Sequence, residues 1–232
     1  MGHIIGENGI QPDSDKVDKV KNFPRPKNVS ELCGFIGLAS YYRRFIKDFA
    51  IITAPLHKLF KKDTIYQWNP ACQEAFDTLK QKLITAPILI YPDFEKEFIL
   101  FTDASYSGLG AVLAQLDADG KEHVVAYASR GLLGSEQRYS ATEIECLAII
   151  WAVKYFHPYL YDKYFQLITD YSALRGILER SQPTGRVARW TLLLQSYQFS
   201  VTHRPGKVNS NVDTLSRILQ QKLSDIVNND DF

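Results

Sequence analysis

Apolar residues recur at helical spacing in the first third of the chain and in strand-like runs beyond it. Between residues 28 and 47, Leu32, Phe35, Ile36, Ala39, Tyr42 and Ile46 fall three or four apart, which predicts a helix with one buried face. Asn28, with Glu31 three residues on, gives that helix a capping-box start, Asn standing where Ser or Thr is usual. Asn69-Pro70 signals a second helix, with an N-cap residue and proline at the first helical position, and Phe76, Leu79 and Leu83 as its apolar face. Residues 2–18 read as a short hairpin turning at Asn8-Gly9. Residues 22–28 are a proline-rich break, and Pro87 and Pro92 interrupt the chain again. A domain boundary is placed there, between residues 1–90 and 91–219, as two separable folding units.

From Glu97 the pattern changes to short apolar runs. Strands are expected at 98–101, running into Thr102-Asp103, and at 111–114, 124–127, 165–168 and 199–203. A helix over 140–156 is apolar on nearly every side from Leu147 to Val153, so it belongs between two layers. Further helices are expected near 172–179, 186–196 and 211–223, and residues 220–232 as a disordered tail. Three strands, a helix, a strand, helices, a strand and a helix make an α/β layer fold.

Composition adds little to this picture. The chain of 232 residues is 45% hydrophobic and 23% charged, within the range of soluble globular proteins. No apolar run reaches the roughly 20 residues that span a bilayer, no signal peptide is visible at the start, and no membrane partner is expected. Cys33, Cys72 and Cys146 are far apart and odd in number, and read as reduced thiols of an intracellular protein. Net charge is only +1, but residues 1–92 carry 13 basic against 9 acidic groups, and the rest 14 against 17. An acidic domain can still bind phosphates where its carboxylates hold cations that reverse the local sign.

The candidate chemistry begins with a repeated ending. Two predicted strands run into Thr-Asp, at Thr102-Asp103 and Thr169-Asp170. If those strands are neighbours, the carboxylates share one edge, and a dication would resolve their repulsion. Turn or capping roles for each aspartate are the other reading, and spacing alone leaves both open.

Longer strings carry more information. FTDASYSGLGAVLAQ (101–115), YASRGLLGSEQRYSATEIECLAIIWAVKYFHPYLY (127–161), LITDYSAL (167–174), GRVARWTLLLQSYQF (185–199) and HRPGKVNSNVDTLSR (203–217) resemble, in order, the ribonuclease H domain of Gypsy-type LTR retrotransposons. GHIIGENGIQPDSDKVDKVKNFPRPKN, ELCGFIGLASYYRRFI and APLHKLFKKDTIYQWNPACQEAFDTLK resemble the thumb and connection segment of the same reverse transcriptases. The resemblance implies an RNase H-like five-stranded mixed sheet flanked by helices, preceded by a small, mostly helical thumb/connection subdomain. It implies cleavage of the RNA strand of RNA–DNA hybrids by two Mg²⁺ or Mn²⁺ ions, held by Asp103, Glu145, Asp170 and Asp213. Val212 and Thr214 depart from the alanines usual beside the last aspartate. His203, ten residues before Asp213, is a further catalytic candidate by analogy with a mobile histidine of many ribonucleases H; alignment on Gly206 puts Arg204 there instead, and His203 then is a strand-end residue without a role.

The same resemblance assigns nucleic-acid contacts to Gly34, Leu38, Tyr41, Arg43 and Arg44 on the first thumb helix, and to Thr142, Arg186 and Arg189 in the nuclease domain. Trp190 is expected in the core. Internal packing for the tyrosines and solvation for the arginines are the other reading. No Tyr-x-Asp-Asp occurs, so primer extension is not expected of this chain alone. The remainder of a Pol polyprotein, palm, fingers and integrase, is the expected partner besides the hybrid. The expected location is the cytoplasm or a virus-like particle, with the nucleus also open. A non-catalytic nucleic-acid-binding or scaffold role is the competing reading, and the four intact carboxylates weigh against it. Another metal nuclease of the same superfold is a second alternative, which the YSATEIECLA and VDTLSR strings oppose.

Overall fold

The computed structural model describes residues 2–61, 65–169 and 185–204. The expected helices at 172–179 and 211–223 and the tail at 220–232 lie outside the described residues, as do Asp170 and Asp213.

The chain opens with strands β1 (His3–Gly6) and β2 (Gly9–Pro12), an antiparallel hairpin whose two turn residues are Glu7 and Asn8, one position before the predicted Asn8-Gly9; Gly9, at φ +132°, pairs with Gly6 and opens β2. The hairpin is shorter than expected. Residues 14–18 belong instead to helix α1 (Ser14–Lys21), because Asp13 caps it, its side chain accepting from the Asp15 N–H at 3.0 Å. Helix α2 (Val29–Tyr41) begins at Asn28, whose Oδ1 accepts from the Glu31 N–H at 2.9 Å. Glu31 reaches back to the Lys27 N–H, one residue earlier than a standard capping box.

The predicted helix over 28–47 ends early, at Tyr41, and a 3₁₀ turn at Arg43–Phe45 replaces its last turn. The tighter turn keeps three- and four-residue spacing, so Tyr42, Phe45 and Ile46 still bury into one core. The apolar stripe therefore holds where the helix does not. Helix α3 (Phe49–His57), absent from the sequence expectation, follows Asp48 in the left-handed region at φ 58°. Helix α4 (Pro70–Ile84) starts where Asn69-Pro70 predicted, with the Cys72 N–H donating to Asn69 Oδ1 at 3.0 Å.

The second part is a five-stranded sheet: β3 (Phe98–Ser105), β4 (Gly108–Leu116), β5 (Glu122–Arg130), β6 (Tyr164–Thr169) and β7 (Gln198–His203). The spatial order is β5-β4-β3-β6-β7, antiparallel from β3 through β5 and parallel from β3 to β7. Helix α5 (Ala141–Tyr155), a short α6 (His157–Leu160) and α7 (Gly185–Leu194) are the α-helices of this part among the described residues, with a 3₁₀ turn at Glu136–Arg138 before α5. This is the mixed, helix-flanked sheet that the resemblance implied.

Both faces of the sheet are covered. Phe98, Leu100, Leu113, Phe165 and Leu167 pack with Cys146, Ile149, Ile150 and Val153 of α5. On the other face, Ile99, Phe101, Val112, Ala114, Val124, Tyr127 and Ile168 join one apolar cluster with residues of α1 to α4. Residues 86–92 cross between these parts with Leu89 fully buried, paired to Ile10, and with the Ile90 N–H donating to the Val124 carbonyl.

Candidate active site

Asp103 is the sixth of eight residues in β3, so the strand does not stop at Thr102-Asp103 as expected. It runs on because a two-residue turn, Tyr106-Ser107, leads directly into β4 and pairs Ser105 with Gly108. Asp103 is exposed, and its register partner is Gly110. Asp48 comes to the same place from the helical layer: a Cβ on Gly110 would lie 2.7 Å from Asp48 Oδ1.

The neighbouring parallel strand, β6, ends at Thr169, the residue before Asp170, with Phe101 opposite Ile168. Thr102 and Thr169, the residues that precede the two aspartates, thus lie on adjacent parallel strands. Next to β6, β7 ends at His203, exposed and opposite Thr169. The Arg204 N–H donates to the Thr169 carbonyl at 3.0 Å, while its guanidinium pairs with Glu122 and lies 5.8 Å from the Phe101 ring centre.

Helix α5 packs on β3 and β4 and carries Glu145 in its first turns, partly exposed. Its start is a full capping box. The Glu143 N–H donates to Ser140 Oγ at 3.3 Å, and Glu143 Oε2 accepts from the Ser140 N–H at 3.0 Å. Those bonds, the Ser140 backbone N–H foremost and Arg186 after it, hold the Glu143 carboxyl below the usual carboxylate range. Glu143 is therefore engaged at the helix start, while Glu145 lies about 200° further round the axis. Beside it, burial pushes the Cys146 thiol up to about 11, helped by Glu145 and Glu143, which fits a core thiol with no thiolate chemistry.

Thr142 lies partly exposed in the same turn of α5, and Arg189 is exposed on α7. Trp190 is partly buried against the core as expected, 6.3 Å from the Tyr139 ring. Arg186 is held by Glu143 and Tyr139. On α2, Gly34 is exposed, with nothing within 4 Å of where a Cβ would be, Leu38 is half-buried, and Tyr41 is 51% exposed. Tyr41 stacks on His3 at 4.8 Å. Arg43 is exposed and Arg44 partly buried.

The donors that fit a metal are hard carboxylate oxygens, which suit Mg²⁺ or Mn²⁺ rather than a thiolate-seeking ion. Among the described residues no group of three or more His, Cys, Asp or Glu comes together, and Asp103 and Glu145 are the two described members of the expected four. Sequence reasoning missed Asp48, Gly110 and the Arg130–Glu136 pair, in which Glu136 takes two bonds from the guanidinium at 2.6 and 3.0 Å. The Ser140–Glu143 pattern, Ser-x-x-Glu before an apolar run, was readable as a capping box.

Among the described residues no helix is long and apolar enough to cross a membrane. Residues 68–167 match the family model of an RNase H-like domain found in reverse transcriptase. The chain is 41% identical over 229 residues, 99% of its length, to a retrovirus-related Pol polyprotein from transposon 412 of Drosophila melanogaster, and covers 18% of it. It is 39% identical over 225 residues to the transposon Tf2-3 polyprotein of Schizosaccharomyces pombe, covering 95% of this chain and 17% of that one. The chain thus spans about a fifth of the length of the curated relatives it matches. Its fold is similar to the foamy viral protease-reverse transcriptase solved with an RNA/DNA hybrid, with a TM-score of 0.70 at 19% identity, covering 89% of this chain and 29% of that one. The same viral enzyme in a dRH form, solved with double-stranded DNA, gives 0.71 at 18% identity, covering 88% and 37%. The chain belongs with the Pol polyproteins of Gypsy-type LTR retrotransposons, and it carries their reverse-transcriptase-associated RNase H-like domain.

Proposed function

We propose that this chain hydrolyses the RNA strand of RNA–DNA hybrids, with Asp103, Glu145, Asp170 and Asp213 holding two Mg²⁺ or Mn²⁺ ions. The observation that carries the reading is the meeting of β3 and β6 as parallel neighbours, with exposed Asp103 on one and Thr169, which precedes Asp170, ending the other. Helix α5 crosses the same strand and brings Glu145 in its first turns. Bound there, such ions would supply Lewis-acid activation of the attacking water and neutralise charge at the leaving 3′ oxygen. Asp103 would serve both ions, Glu145 and Asp170 one, and Asp213 the other.

The exposed side of α2, with Gly34 and Tyr41, and Arg43 of the 3₁₀ turn that follows it, would lie against the duplex backbone, where contacts position without reading sequence. Little sequence preference is therefore expected. Incubation of the purified chain with a labelled hybrid should give Mg²⁺-dependent cleavage products ending in 5′-phosphate and 3′-hydroxyl. Cleavage should vanish in excess EDTA and in Asp103→Asn. Hybrid binding with no metal-dependent cleavage would instead support a non-catalytic binding role, and equal cleavage of duplex DNA would overturn the substrate assignment.

A further inference from the structure

Arg186 sits in the first turn of α7, where the helix dipole disfavours a cation, and no acidic residue of that turn offsets it. The compensation comes from another helix. Its Nη1 donates to Glu143 Oε1 at 2.8 Å, and the guanidinium lies over the Tyr139 ring, 3.8 Å from its centre. Glu143 uses its other oxygen on the Ser140 N–H and hydroxyl, at 3.0 and 3.1 Å. One turn further along α7, Trp190 packs on the same Tyr139. Gly185, at φ +66°, gives the chain its entry into α7.

These contacts all converge on the start of α5. A helix's first turn frays most easily, because its N–H groups lack intrahelical partners. Here that turn is clamped twice, by its own capping box and by α7 across the gap. Glu145 lies two residues beyond Glu143, within reach of any fraying.

We propose that Arg186 is a positioning residue: through Glu143 and Tyr139 it fixes the first turn of α5 and so the direction in which Glu145 presents its carboxylate. The inference rests on Glu145 being a metal ligand in the reaction proposed above. It gives Arg186 a role other than the nucleic-acid contact that the family resemblance suggests, and the two roles predict different kinetics. A lysine would keep the charge but lose the planar stack on Tyr139.

The test compares Arg186→Ala, Arg186→Lys, Glu143→Ala, Glu143→Gln and Glu145→Gln in the full chain. Steady-state cleavage of a hybrid is one readout and Mn²⁺ affinity by titration calorimetry the other. Arg186→Ala should lower kcat and Mn²⁺ affinity by about tenfold, with KM changed less than about threefold. Glu143→Ala should match it, the double variant should be no worse than either single one, and Arg186→Lys should recover only part. Glu143→Gln keeps one acceptor oxygen, enough for the Ser140 N–H or for Arg186 but not for both, so it should lose part of the kcat and Mn²⁺ affinity, less than Glu143→Ala. A rise in KM with kcat and Mn²⁺ affinity unchanged would overturn the proposal in favour of a nucleic-acid contact, as would additive losses in the double variant. If Arg186→Ala fails to fold, Glu143→Ala carries the same comparison. Full activity and Mn²⁺ affinity in Glu145→Gln would instead sink the metal-ligand reading on which the proposal stands.

Discussion

Replacing Gly108 by alanine tests how the helical layer sits on the sheet. A Cβ there would lie 2.6 Å from the Arg130 carbonyl oxygen of β5 and 3.1 Å from Ile51 Cγ1 of α3. Ordinary contact begins at 3.4 Å, so the methyl group is 0.8 Å too close to a backbone atom. Neither neighbour can yield cheaply. Arg130 is held in the ladder by its pairing with Leu109, and α3 is anchored by the Ala50 N–H donating to Ser129 Oγ at 2.9 Å. Overpacking of this kind costs about 1–3 kcal/mol, and two immovable neighbours place this case at about 2–3 kcal/mol. Gly110→Ala is the control. Its Cβ would meet Asp48 Oδ1 at 2.7 Å, the end of a side chain that can turn away, so about 1 kcal/mol or less is expected. Asp48→Gly should make that cost less than additive and leave the Gly108→Ala cost untouched. Urea unfolding followed by circular dichroism, compared at constant m, measures the three single variants and the two doubles with Asp48→Gly. A Gly108→Ala protein as stable as wild type, or less damaged than Gly110→Ala, would show that the packing of α3 on β4 and β5 has been misjudged.

Two further outcomes follow from particular contacts. Glu136 is buried at 7% exposure, receives the Arg130 guanidinium and the Leu133 N–H, and its carboxyl is held below the usual range chiefly by the Arg130 bond. A depressed folded-state pKa stabilises above the unfolded value of about 4.3 and is lost as pH falls below it. Glu136→Gln should therefore cost about 2 kcal/mol at pH 7, with Arg130 partly exposed, and the gap from wild type should close as pH drops below about 4. A pH-independent gap in thermal melts would refute the pair's role. The proposed boundary near residue 90 can be tested by expressing residues 94–219 alone: with Ile99, Phe101, Val112, Val124 and Tyr127 uncovered, that piece should melt below the full chain and bind a hydrophobic dye. An equal Tm, or proteolysis between 86 and 96 releasing two stable pieces, would show the parts to be independent.

The elements that were legible in the sequence share one property: their signals are local. Asn28, Asn69 and Ser140 each cap the helix that follows within three residues, and the sequence order of side chain and N–H is enough to show it. Asn8-Gly9 marks the hairpin to within one residue, its turn lying at Glu7-Asn8. What stayed hidden depends on partners distant in sequence. Asp13 could have been read as a cap, but the hairpin pattern before it drew the strand too far. Helix α3 is short and carries Pro55 inside, so its own signals are weak, and it is held by Ser129, 79 residues away. Gly108 and Gly110 look like turn glycines, yet their use is to let Ile51 and Asp48 approach the sheet. Arg186 reads from the sequence as a nucleic-acid contact, because its partner Glu143 lies 43 residues earlier. For the candidate site, Asp103 and Glu145 were named from motif strings, and adjacency of the two Thr-Asp strands was posed as a condition that the sheet order then met.

One non-local feature was nonetheless written in a local run. Residues 98–101, Phe-Ile-Leu-Phe, do not alternate with polar residues, and successive side chains of a strand point to opposite faces. An unbroken apolar run therefore requires cover on both sides of the sheet. Helix α5, apolar all round, could supply one cover, and it takes Phe98 and Leu100. Ile99 and Phe101 needed another, and in the described residues that cover is the cluster of α1 to α4. Pro87 and Pro92 mark a change of pattern, but they could not mark the edge of a core, because Leu89 and Ile90 between them are held from both sides. The helical segment thereby gains a role beyond its exposed face on α2. Through Asp48 at Gly110 it stands on the strand position opposite Asp103, one strand away from the proposed chemistry.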